Sequence, residues 1–222
     1  MKKRVAVCFT LLFLIASTNS GLALADEGPN EIVLFSDSVT VDIPLACTDC
    51  NSAQGVEPPP ETPPTIILRM TFTLDMGRYE DSDRFWARAE SRGSLWGRYA
   101  EGGGFPCERI RMELDSTVAA DMTYLFSVWP PTWGTREGSS DDTEAAGCSS
   151  TRATTFLQSA FGAIMASVSS HHESWVDKIQ WRDSQGIWRD YANQEQGIIG
   201  RCSAFHGVGS VEGDCEIVSV SP

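Results

Sequence analysis

The sequence predicts a mainly β or α+β fold: antiparallel, hairpin-rich sheets, with a β-sandwich among the open arrangements, and one covering α-helix near residues 151–169. Three observations carry this. Ile66, Leu68, Met70, Phe72 and Leu74 alternate with Arg69, Thr71, Thr73 and Asp75, the two-residue period of a half-buried strand. Two Ser-x-Gly triplets, Ser91-Arg92-Gly93 and Ser184-Gln185-Gly186, are each flanked by Trp and Arg, as expected of hairpin loops with Gly at a positive φ. Ala153, Phe156, Leu157, Ala160, Phe161, Ile164, Met165 and Val168 form a stripe with a helical period.

In chain order, residues 1–25 read as an export signal. Lys2, Lys3 and Arg4 precede the uncharged run Val5 to Ala16, and Ala23-Leu24-Ala25 supplies a cleavage site of small residues. Residues 26–46 form an N-terminal strand segment in which Val39, Val41 and Ile43 alternate with polar neighbours. Residues 47–64 are a Pro-rich connector, extended and semi-rigid. Residues 65–222 form a disulfide-stabilised main domain. It opens with the strand 65–76 and a hairpin folded about Ser91-Arg92-Gly93, which would set Trp86 opposite Arg98 and Arg88 opposite Trp96. Strands follow at 109–115 and 122–129, then a polar loop at 134–150. After the helix, with His171 and His172 at its end, a second hairpin pairs Trp181 with Arg189 and Arg182 with Trp188.

Charge narrows the functional classes. Removing Lys2, Lys3 and Arg4 takes the net from −13 to −16, which repels nucleic-acid phosphates and anionic lipid. Suitable partners are neutral or cationic, such as a polysaccharide or a protein. No later segment has eighteen uncharged apolar residues, so no membrane span is expected. The signal implies a periplasmic or extracellular location, and the lack of an Asn-x-Ser/Thr sequon points to a bacterial source.

An oxidising compartment makes disulfide candidates of Cys47, Cys50, Cys107, Cys148, Cys202 and Cys215. Fifteen pairings are open, and spacing favours neighbours: Cys47 with Cys50, Cys107 with Cys148, Cys202 with Cys215. A redox Cys-x-x-Cys would want a helix N-terminus, whereas Asp49 and a proline run surround Cys47 and Cys50. No second such pair completes a zinc site. No cofactor is expected beyond calcium, for which Asp141, Asp142 and Glu144, and secondarily Glu80, Asp81 and Asp83, offer loop oxygens.

No serine elbow, His-Glu-x-x-His or phosphate loop occurs. The chemistry therefore rests on the Trp/Arg faces: Trp86, Trp96, Arg88 and Arg98, rimmed by Trp129 and Trp133. Indole rings pack on apolar sugar faces while guanidinium groups donate to hydroxyls. The expected function is an exported, non-catalytic, saccharide-binding domain. Two alternatives stand beside it. One is a small secreted hydrolase using paired carboxylates or His171, His172 and His206; the other is a structural or assembly component of the cell envelope.

Overall fold

The computed structural model describes residues 31–45, 61–80, 83–126, 130–145, 148, 150–191 and 196–221. The strands in chain order are β1 (Glu31–Leu45), β2 (Thr65–Tyr79), β3 (Phe85–Arg98), β4 (Gly104–Phe105), β5 (Ile110–Phe126), β6 (Trp133–Glu144), β7 (Ser150–Gln158), β8 (Ala163–Arg182), β9 (Trp188–Asp190), β10 (Gln196–His206) and β11 (Val211–Ser221). They form two sheets, both antiparallel. One runs β1-β2-β3, with β4 and β7 sharing the far edge of β3; the other runs β11-β10-β8-β5-β6, with β9 beside β8.

The sheets face one another and bury a common core. The predicted alternation on β2 is observed, and its even positions from Ile66 to Met76 are all buried. Across from them stand Leu114, Val118 and Met122 of β5, Val168 and Val176 of β8, and Ile198 of β10. The strand expected at 31–45 is the edge of the first sheet, in register with β2 along its length and bulged between Val33 and Phe35. One end of the sandwich gathers the start of β1 and the β2–β3, β5–β6, β7–β8 and β10–β11 connections. The other end holds the Cys107–Cys148 disulfide; Cys202–Cys215 joins β10 to β11 at directly opposed positions. Cys47 and Cys50 lie outside the described residues.

Three expectations need correction. No α-helix covers 151–169: β7 ends at Gln158, and the chain turns at Phe161-Gly162 into β8. Counting only apolar residues hid the true two-residue period of β7, whose inward positions are Thr151, Ala153, Thr155 and Leu157. Three β-branched threonines disfavour helix there, and Gly162 at φ +83° makes the turn.

Nor does the chain fold back at Ser91-Arg92-Gly93, because β3 runs straight through it. A Cβ on Gly93 would sit 2.9 Å from Thr151 Oγ1 and 3.1 Å from Leu114, so this glycine serves close packing rather than a turn. Trp86, Arg88, Trp96 and Arg98 therefore share one face of one strand and are not cross-strand partners. Most of the stretch expected as a loop at 134–150 is strand instead, since β6 pairs with β5 from Trp133 to Glu144. The second hairpin has the expected register, Trp181 opposite Arg189 and Arg182 opposite Trp188.

Candidate functional site

The central strand β8 presents His171 and His172 on opposite faces, not at a helix end. His172 points between the sheets and is fully buried. Its Nδ1 lies 2.9 Å from Ser91 Oγ and its Nε2 2.8 Å from Ser170 Oγ, and the ring stacks on Phe72 at 5.1 Å. Ser91 spends its hydroxyl hydrogen on the Thr117 carbonyl, 2.6 Å away, so it accepts from His172 Nδ1–H, and Ser170 donates to Nε2. Burial, with a lesser contribution from His171, pushes the imidazole pKa down to about 4. Beside it, Ser116 bonds Thr151 at 2.6 Å and Ser174 at 2.9 Å. These groups are satisfied and sealed from solvent, which makes them a polar joint between the sheets.

On the solvent side of the same strand lies an open trough of about 930 Å³ crossing β6, β5, β8 and β10. Its floor is Ala119, Ser139 and Ser169, whose small side chains leave the sheet surface low. Its walls are Asp121, Glu137, His171 and Arg201. Strand register builds this: Asp121 faces Glu137 on one side and Ser169 on the other, and Ala119 faces Ser139 and His171. His171 in turn faces Arg201. Ser169 Oγ donates to Asp121 at 2.5 Å, and His171 Nε2 lies 2.8 Å from Glu173 Oε1. Trp175, 37% exposed, stands on the same face four residues from His171, about 13 Å along the strand. Carboxylates that accept, with guanidinium, imidazole and hydroxyl groups that donate, suit a ligand rich in hydroxyls. No described hydrogen bond joins Ser169 to His171, so the trough holds no assembled nucleophile–base pair.

The residues singled out by sequence are spread over other surfaces. Trp86 is 1% exposed, stacked on Phe156 at 6.4 Å with the Arg88 guanidinium 5.9 Å from its ring. Trp96 is half-buried, its ring 5.2 Å from Arg69, which forks onto Asp42 with two 2.7 Å bonds. Ten residues of one strand part the two indoles, about 33 Å, and they share no platform. Arg98 is exposed at the end of β3, and Trp133 is 60% exposed on β6. Trp129 lies outside the described residues. Trp181 is buried in the core, while Trp188 packs under Arg111 at 4.0 Å and lines a shallow hollow with Arg182.

Asp141, Asp142 and Glu144 occupy a strand, so Asp141 points away from the other two, and Asp142 accepts from the Arg152 backbone N–H at 2.6 Å. Among the described residues, no three His, Cys, Asp or Glu side chains converge as metal ligands would. Asp81 lies outside the described residues. His206 packs on Phe85 at 5.0 Å near the β7–β8 turn, away from the trough.

Sequence reasoning passed over Asp121, Glu137, Ser169 and Arg201. The available signal was the alternation Ser169, His171, Glu173, Trp175, hidden beneath the helical reading of the preceding segment. Among the described residues no helix is long and apolar enough to cross a membrane. Compared with known proteins, this disulfide-linked β-sandwich matches no family model and no curated sequence.

Proposed function

We propose that the protein is an exported, non-catalytic binding domain whose ligand is a neutral or cationic saccharide held on the solvent face of the second sheet. The observation that carries this is the trough, floored by small side chains and walled by Asp121, Glu137, His171 and Arg201. Asp121 and His171 are already held by Ser169 and Glu173, so these two walls lose little freedom on binding, which favours affinity. The two disulfides fit an oxidising environment outside the cytoplasm, and the net charge of −13 favours ligands without negative charge.

Calorimetric titration against a panel of neutral and amino-substituted oligosaccharides tests the reading, with Trp175 as a fluorescent reporter. Saturable binding is expected, weakened about tenfold by Arg201→Ala, or 1.4 kcal/mol, with thermal stability unchanged. No saturable binding, or binding indifferent to Arg201→Ala and His171→Ala, would reject it. Asp121 and Glu137 face each other across neighbouring strands, a pairing that sets Cβ atoms about 5 Å apart. Paired carboxylates are the machinery of glycosidases, so released products in the same mixtures would assign the trough to a hydrolase instead.

A further inference from the structure

Of the eleven large hydrophobic side chains exposed among the described residues, six crowd one end of the sandwich: Trp133, Phe161, Ile164, Phe205, Val208 and Val211. They come from three neighbouring places, the start of β6, the β7–β8 turn and the β10–β11 turn. Register brings them together, since Leu125 of β5 pairs with both Trp133 and Met165, and His206 pairs with Ala166. Across the order β11-β10-β8-β5-β6 the patch is about 19 Å wide, four strand spacings. Phe161 and Val208 are 64% and 92% exposed, at the tips of their turns. Soluble surfaces scatter such residues singly; clustered on loop tips they mark an interaction site.

We infer that this end of the sandwich is a lipid-facing surface that seats shallowly in the interface of a zwitterionic bilayer. Two features select lipid over other occupants. Indole, phenyl and branched aliphatic groups at the tips match the side chains that settle at a membrane interface. Arg78 and Arg84 flank the patch and line, with Asp83, Ile164 and His206, a hollow of about 200 Å³, where two guanidinium groups against one carboxylate suit headgroup phosphates.

The net charge of −13 makes the surface one for zwitterionic rather than anionic lipid. The trough lies on the face of the sheet, leaving it open while the end is seated.

The test is flotation of the purified, oxidised protein with phosphatidylcholine vesicles, with and without brominated acyl chains. The protein should float, and brominated lipid should quench a fraction of tryptophan emission that Trp133→Phe removes. The double variant Phe161→Ser/Val208→Ser alters two exposed tips and leaves the core intact; its partitioning should fall at least about tenfold. Absence of flotation would overturn the inference. So would flotation unchanged by the double variant, which would trace binding to another surface. A dimer in sedimentation that the same double variant dissolves, without lipid binding, would overturn it in favour of a second copy. None of these outcomes bears on saccharide titration, so the two readings fail separately.

Discussion

Protonating His172 would place a positive charge between the sheets, against Phe72 and two serine hydroxyls, one of which would have to give up the hydrogen it already donates. With the folded pKa near 4 and the unfolded one at 6.5, the native state binds fewer protons across that interval. The stability this group contributes is therefore complete above pH 6.5 and is lost as pH falls toward 4. At 1.36 kcal/mol per pH unit the loss approaches about 3 kcal/mol. Urea unfolding at pH 7.5 and pH 4.5 should show a decline that His172→Gln flattens; an equal decline in the variant would place the proton uptake elsewhere. Adjacent histidines gave no sequence signal of this division of labour, because only the strand geometry of β8 puts one inside and one in the trough.

Legibility at the scale of elements followed how each strand spends its inward positions. β2 spends all of them on large apolar side chains and was plain in sequence. The β8–β9 hairpin was equally plain, because Asp183, Ser184 and Gly186 are turn residues and nothing else in the fold needs them there. β3 spends inward positions on Ala87, Ala89, Ser91 and Gly93, small residues that let the other sheet approach. From sequence alone these resemble a turn. β7 spends them partly on threonine, and hydroxyls paired across the core do not register as hydrophobic. The trough was illegible for a related reason: its residues come from four strands whose neighbours are distant in sequence.

Both described disulfides were foreseen as neighbour pairs, and they differ in reach, 13 residues for Cys202–Cys215 and 41 for Cys107–Cys148. Loop-closure entropy assigns about 3 kcal/mol to the first and about 4 kcal/mol to the second. Replacing each pair by alanine and measuring urea unfolding should rank them in that order. The reverse order would show that native packing, not chain entropy, sets their worth.

The whole molecule is built largely from pairings between distant segments: β3 with β7, β5 with the far half of β8, and β1 against β11. Such pairings pay loop closure before they gain contacts, so stopped-flow refolding with disulfides intact should run in milliseconds to seconds. A microsecond phase recovering native fluorescence would contradict this. Among the described residues the farthest-reaching hydrogen bonds join Cys215 to Asp37, with the Cys215 backbone N–H donating to the carboxylate at 2.9 Å across 178 residues of chain. β1 can pair with β2 as soon as both are made, whereas the corner it shares with β11 stays open until that strand exists. The sandwich is therefore sealed by its most C-terminal described strand, and a chain stopped short of β11 would leave that seam unfastened.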